Sequence, residues 1–190
     1  MTSTFLVHGD VKWSTTTSYT GDSVATTAGE GGSAAREITN ALGQVVERRQ
    51  YAGTRPTGEY LSTTFAYTPS GEQAKITGPG SPASVWTYGY DLFGRRVRSV
   101  DPDRGTTTTA YTAVDQVDSV KDARGKTILY AYDRLGRKTS QWLTARTDAT
   151  KVAGWTYDTV AKGQLTSSTR YVGGVTGDAY TKKVTAYDNA

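Results

Sequence analysis

The sequence YDLFGR at residues 90–95 returns as YDRLGR at residues 132–137, and this recurrence is the strongest indication of the fold. Midway between these copies, residues 111–116 read YTAVDQ, a degenerate copy that begins with the same residue type. The three leading tyrosines are therefore 21 and 21 residues apart. A fixed period of this length predicts an array of small units, each of which packs against its neighbours.

A second set of matching residues divides each period in two. Val100, Arg104, Gly105 and Thr107 are matched twenty residues later by Val120, Arg124, Gly125 and Thr127. Each period thus contains two turns and leaves strands of about five or six residues, which is the usual strand length. The sequence predicts one β-hairpin per period and an all-β fold, a curled antiparallel sheet of stacked β-hairpin repeats.

The residues before each copy alternate in the way that strands require. Ile128, Tyr130 and Tyr132 alternate with Thr127, Leu129 and Ala131, and Trp86, Tyr88 and Tyr90 alternate with Val85, Thr87 and Gly89. A period of two places these aromatic side chains on one face of a strand, where neighbouring strands can pack against them. We expect a continuous aromatic layer.

The turn residues have defined expected roles. Asp133 can accept a hydrogen bond from the backbone two residues further on, and Gly136 can adopt the positive φ that closes the turn. Arg137 begins the return strand and could pair with the aspartate of its own turn. The same roles are expected of Asp91, Gly94 and Arg95.

Weaker copies extend the array in both directions. They begin at Tyr67, Tyr157 and Tyr187, and the last of them, residues 187–190, is expected to continue in a longer parent protein. The predicted repeat-motif residues, all structural, are Tyr67, Gly71, Tyr90, Asp91, Gly94, Arg95, Gly105, Tyr111, Gly125, Tyr132, Asp133, Gly136, Arg137, Tyr157, Asp158, Tyr187 and Asp188.

The repeats are predicted to occupy residues 36–190. Residues 40–44 read NALGQ, the same turn with Asn40 in the aspartate position, whereas a helix over residues 34–50 is the alternative that Gly43 disfavours.

Outside the regular copies, residues 1–35 are predicted to form irregular strands, one of them at 11–19, and a flexible linker. Loops that look like insertions are expected at 53–58, 78–84 and 144–152.

Composition supports strands and turns over helices. The 190 residues include 21 glycines and 13 tyrosines but only 3 phenylalanines and 1 methionine. The net charge is +4, which we interpret as favouring solubility. The chain has no cysteine, so it forms neither disulfides nor a cysteine zinc site. The first residues lack the pattern of a signal peptide, and no apolar run approaches the length of a membrane span.

The two full YDxxGR copies, with the interleaved half-units, resemble the YD repeats of RHS-repeat proteins. The resemblance covers roughly residues 36–190. It implies a segment of a β-shell that encloses or presents a C-terminal toxin, with further repeats of the parent chain and the enclosed toxin as partners, and a secreted or cell-surface location. The Asp-Pro-rich self-cleaving core of that family is not evident, since the only Asp-Pro is at residues 101–102.

The sequence favours no catalytic, cofactor or metal site. His8 is the only histidine, and nucleophilic triads need a histidine or cysteine. Asp101 and Asp103 are too few for calcium and are expected to be turn residues. The GKT sequence at residues 125–127 lacks the earlier glycine of a P-loop. The aspartates of the copies recur, whereas an active site requires one asymmetric constellation.

A carbohydrate or cell-surface binding module is the alternative function. Rows of aromatic side chains could face solvent and stack on sugar rings, and the candidates for this are Trp86, Tyr88, Tyr130 and Trp155. Nucleic-acid binding is disfavoured because the arginines follow the turns and do not gather on one element.

Overall fold

A computed structural model describes residues 1–188 of the protein as an all-β fold, as the sequence predicts. Contacts between residues divide the chain into two compact units, Met1–Gly94 and a second unit that begins at Arg95. The first unit contains β1 (Thr2–Val7), β2 (Asp10–Thr20), β3 (Ser23–Thr26), β4 (Ala35–Thr39), β5 (Val45–Tyr51), β6 (Tyr60–Tyr67), β7 (Gln73–Gly80) and β8 (Ala83–Tyr90).

The second unit has the same organisation. It contains β9 (Arg96–Asp101), β10 (Gly105–Tyr111), β11 (Val117–Lys121), β12 (Thr127–Tyr132), β13 (Lys138–Leu143), β14 (Lys151–Tyr157), β15 (Leu165–Val172) and β16 (Asp178–Lys183). One 3-10 helix, Asp148–Thr150, is the single helical element of the described chain.

Within each unit, every strand pairs antiparallel with the next strand in sequence. The hairpin stacking predicted from the 21-residue period is therefore confirmed. The predicted curl is not: each unit has an uncurled sheet.

The pairing register shifts by one residue immediately before most turns of the YD type. The shifts fall at Ile38/Thr39, Ala66/Tyr67, Ala110/Tyr111, Ala131/Tyr132 and Thr156/Tyr157. A β-bulge of this kind adds a residue to one strand and re-aims its side chain. The extra residue lies on the strand that follows each turn. In β13, for example, Thr139 is skipped between Lys138, the partner of Tyr132, and Ser140, the partner of Ala131.

Very little of the protein is a hydrophobic core. Among the described residues, only Ala25, Ala34 and Tyr51 are hydrophobic and buried. All three lie in the first unit. There, Ala34 N donates to Gly53 O at 2.8 Å, and this bond holds the loop after β5 against the residue that precedes β4. Elsewhere both faces of the single-layer sheet retain partial exposure, so that strand pairing and contacts between adjacent strands carry the structure.

Three local predictions can be compared with the strands. The strand expected at 11–19 is β2, and β4 and β5 replace the alternative helix over 34–50, which is wrong. The loop expected at 78–84 is also wrong, because β7 continues to Gly80 and β8 starts at Ala83, which leaves a two-residue connection. The predicted boundary at residue 36 stays a prediction.

Candidate functional site

The turns of the YD type share one hydrogen-bond pattern. In the turn after β12, Asp133 Oδ1 accepts from the backbone N of Leu135 and of Arg137, both at 2.9 Å. Gly136 N donates to Asp133 O at 3.1 Å, and Gly136 has φ 81°. A residue with a Cβ is rare in this left-handed region, so the glycine is required by the turn.

The same geometry returns in the other turns. Positive φ is found at Gly43 (76°), Gly71 (97°), Gly94 (74°), Gly105 (77°), Gly125 (77°) and Gly163 (80°). In the degenerate copy, Asp115 takes this place with φ 68°, a conformation that aspartate tolerates better than most residues. The positive φ predicted at Gly94 and Gly136 is confirmed.

Each motif tyrosine is bonded to the backbone of the preceding hairpin. Tyr132 Oη donates to Val117 O at 2.8 Å, and Val117 is the first residue after the preceding turn of the same type. We call this contact the inter-repeat tyrosine bond. The others are Tyr67 to Val45 O (2.7 Å), Tyr90 to Gln73 O (2.8 Å), Tyr111 to Arg96 O (3.1 Å), Tyr157 to Lys138 O (2.9 Å) and Tyr187 to Leu165 O (2.5 Å).

The register explains why these bonds repeat. Every acceptor is the first residue of a strand that follows a YD-type turn, and each tyrosine lies at the next turn on the same margin of its unit. The hydroxyl therefore satisfies a backbone carbonyl close to the turn, which is a polar group that otherwise needs water. Burial also raises the pKa of Tyr132, which favours the protonated hydroxyl that donates this bond.

The motif arginines bond to the next turn. Arg137 Nη1 and Nη2 donate to the two carboxylate oxygens of Asp158 at 2.9 and 2.5 Å, and Arg137 Nε donates to Asp133 of its own turn at 2.7 Å. Arg95 Nη1 likewise donates to Asp115 at 3.0 Å. One guanidinium thereby connects two consecutive turns.

These arginines also cover the tyrosine of the next repeat. The guanidinium carbon of Arg95 lies 4.7 Å from the ring centre of Tyr111, and that of Arg137 lies 4.3 Å from the ring centre of Tyr157. Such cation–π contacts contribute about 0.5–1 kcal/mol at exposed sites. At Tyr111 and Tyr157, the contacts of the arginine and of the tyrosine hydroxyl therefore act together.

Asp158 is the carboxyl group most altered by these contacts. The hydrogen bonds from Arg137, followed by that from Gly163 N, lower the pKa of Asp158 to about 2. In Asp133, burial raises the pKa, but the hydrogen bonds from the backbone and side chain of Arg137 outweigh it and lower the pKa. Both carboxylates are thus ionised at neutral pH.

The proposed glycan-facing aromatics do not form an exposed platform. Trp86, Tyr88, Tyr130 and Trp155 are all half-buried. The Lys138 ammonium nitrogen lies 4.1 Å from the ring centre of Tyr130 and covers one of its faces. Cationic side chains therefore lie between the tyrosine rings of the aromatic layer. The alternation of residues in the sequence does not predict these cations.

The candidates for other chemistry have ordinary turn positions. His8 lies in the β1–β2 turn with φ 52°. Asp101 Oδ1 accepts from the backbone N of Asp103 and of Arg104 at 2.9 and 3.0 Å, in the same way as the motif aspartates. Asp188, the last described residue, is exposed and follows Tyr187 beyond β16.

The candidate site is therefore a periodic set of contacts between consecutive hairpins. These contacts define the class of the protein, a sheet of β-hairpin repeats. No protein-family model matches the chain, and no curated protein matches its sequence. In contrast, solved structures match its fold. A crystal structure of TcdB2-TccC3 has a TM-score of 0.70 and 14% sequence identity over 89% of this chain.

Two further structures agree. The crystal structure of TcdB2-TccC3-Cdc42 gives a TM-score of 0.67 and 15% identity over 83% of this chain, and the Photorhabdus luminescens Tc holotoxin pore with a mutated TccC3 gives 0.67 and 13% over 87%. This chain spans 12%, 10% and 10% of those chains, respectively. The fold of this chain is therefore similar to that of a segment of each of these structures.

No helix in residues 1–188 is long and apolar enough to cross a membrane.

Proposed function

We propose that the chain is a non-enzymatic structural segment of a secreted or cell-surface RHS-type protein, and that it forms part of a β-shell that encloses or presents a C-terminal effector or toxin. The observation that supports this most strongly is the inter-repeat tyrosine bond, which connects consecutive hairpins from β5 to β8 in the first unit and along the second unit. An array with such bonds gains its stability from neighbouring repeats, so further repeats of the parent chain are its expected partners.

The near absence of a core supports the same proposal. A single-layer sheet in which three hydrophobic residues are buried within residues 1–188 leaves two large faces available, as a wall between an interior and solvent requires. The motif residues from Tyr67 to Asp188 then have structural roles: they close turns, bond strands and join consecutive hairpins.

A chimera tests the proposal. The chain replaces the segment of the TcdB2-TccC3 protein that it matches in fold, and the assembly is measured by its size in solution and its resistance to trypsin. A shell segment is expected to give an intact, resistant assembly. The control replaces the same segment with a Gly-Ser linker of equal length, and a chimera that assembles no better than this control would overturn the proposal.

The glycan-binding alternative has weaker support. Its candidate residues, Trp86, Tyr88, Tyr130 and Trp155, are half-buried, and sugar stacking needs an open ring face. Binding to a glycan array that is lost in Trp86→Ala, without loss of the fold, would favour this alternative.

A further inference from the structure

A cavity of about 390 Å³ lies at the end of β11–β12 and β13 that is opposite the YD-type turns. Its floor is formed by three aliphatic side chains. Val120 pairs directly with Ile128, and Ile128 pairs directly with Leu143, so that all three lie on the same face of the sheet. Leu143 is 44% exposed, and the floor is therefore accessible.

The rim of this cavity is cationic. Arg124 and Lys126 belong to the turn between β11 and β12, and both line the cavity together with Asp122. Arg124 Nε and Nη2 donate to Asp122 Oδ2 at 2.9 and 2.7 Å. Lys126 donates to Asp122 through its backbone N, whereas its ammonium group has no ion pair with any described residue. One positive charge on the rim is thus left for a ligand.

The wall of the cavity contains a strained residue. Thr144 has φ 75°, and its backbone N donates to Thr127 O at 2.8 Å. A β-branched residue is rarely found in this left-handed region, and strain of this kind persists where the surroundings fix it, often at binding sites. The strain is independent of the floor and the rim, and it lies at the same cavity.

We propose that this cavity binds a peptide segment in which an aliphatic residue is followed by a carboxylate residue. The aliphatic side chain packs on Val120, Ile128 and Leu143, and the carboxylate pairs with Lys126. The inference rests on the proposed function, in which the sheet holds a polypeptide. The floor crosses three strands, or about 10 Å, which suits one side chain better than a long acyl chain.

The test measures binding to the 190-residue chain by NMR titration of the methyl signals of Val120 and Ile128. The probes are acetyl-Ala-Leu-Asp-Ala-amide, the same peptide with Asn in place of Asp, and decanoate. The Asp peptide is expected to shift both signals. The Lys126→Gln variant is expected to weaken its binding about fivefold, and the Asn peptide is expected to bind more weakly by a similar factor.

Lys121→Gln is the matched control, because Lys121 is an exposed cation on β11 that does not line the cavity. Equal affinity for the two peptides, equal effects of the two lysine variants, or methyl shifts with decanoate and none with the Asp peptide would each overturn the inference. An intact chimera together with absent peptide binding refutes this inference alone, whereas a failed chimera refutes the proposed function whatever the peptide does.

Discussion

Arg137 holds Asp158, 21 residues later, with two hydrogen bonds, and the same guanidinium lies over the ring of Tyr157, which precedes that aspartate. One side chain thus contacts both residues of the next Tyr-Asp pair. Arg95 lies over the ring of Tyr111 in the same way, but its hydrogen bond goes to Asp115, which has the positive φ of that turn, because Thr112 stands in the aspartate position. The 21-residue period is therefore a set of physical contacts between repeats as well as a pattern in the sequence.

This pairing predicts a pH dependence of stability. Because the pKa of Asp158 falls from an ordinary value of 3.8 to about 2 on folding, the unfolded state binds a proton more readily than the folded state. The contribution of Asp158 to stability is present above about pH 4 and is lost as the pH falls towards 2. Urea unfolding at a series of pH values measures it.

Asp158→Asn is expected to flatten this part of the pH profile. Asp178→Asn serves as the control, since Asp178 is exposed on β16 and forms no ion pair with the described residues. An unchanged slope in Asp158→Asn would show that Arg137 does not stabilise the ionised carboxylate.

Removal of one inter-repeat tyrosine bond is expected to destabilise the second unit. Tyr132→Phe keeps the ring and loses the donor to Val117 O, at a cost of about 1 kcal/mol in the free energy of unfolding. Tyr180→Phe is the control, because Tyr180 is 64% exposed. If both variants unfold at the same urea concentration as the original protein, the bond does not contribute.

The turn glycines are expected to resist substitution. Gly136→Val and Gly94→Val force a β-branched residue to φ 81° and 74° and should each destabilise the protein by about 1–2 kcal/mol, measured by thermal unfolding. Gly53→Val provides the comparison, because Gly53 is not in the left-handed region and an added Cβ there meets no atom within 4 Å. Similar melting of all three variants would contradict the turn geometry.

Substitution of Thr144, the strained residue of the cavity, is expected to raise the stability of the protein and to weaken peptide binding. Thr144→Gly removes the strain at φ 75° and is expected to raise the free energy of unfolding by about 1 kcal/mol. The same change is expected to weaken binding of the Leu-Asp peptide, because the cavity wall loses its fixed conformation. If Thr144→Gly is more stable and binds the peptide as tightly as the original protein does, the strain at Thr144 does not contribute to binding.

Much of the fold follows directly from the sequence. The recurrence of Tyr90, Tyr111 and Tyr132 reports the hairpin period, and the alternation before them reports the strands, because both patterns depend on local geometry. The boundaries around residues 78–84 do not follow, since a Gly- and Pro-rich stretch is typical of a loop and the pairing of β7 with β8 overrides that preference.

The junctions between repeats are harder to predict. The sequence shows that Arg137 follows a turn, but the choice between Asp133 and Asp158 as its partner depends on the distance between adjacent turns, and the structure shows contacts with both. The acceptors of the tyrosine hydroxyls are the first residues of strands one repeat earlier, and these acceptors share no residue type that would mark them in the sequence. The 21-residue spacing is the only signal in the sequence that could have indicated them.

All six inter-repeat tyrosine bonds point towards the N-terminus, with acceptors 15 to 22 residues earlier in the chain. During synthesis, each acceptor carbonyl has therefore been made before its tyrosine is added. A growing chain can complete every hairpin against one that the ribosome has already released, without waiting for residues still to be translated. Because of the direction of these bonds, the array can fold one repeat at a time, from the N-terminus, as it is translated.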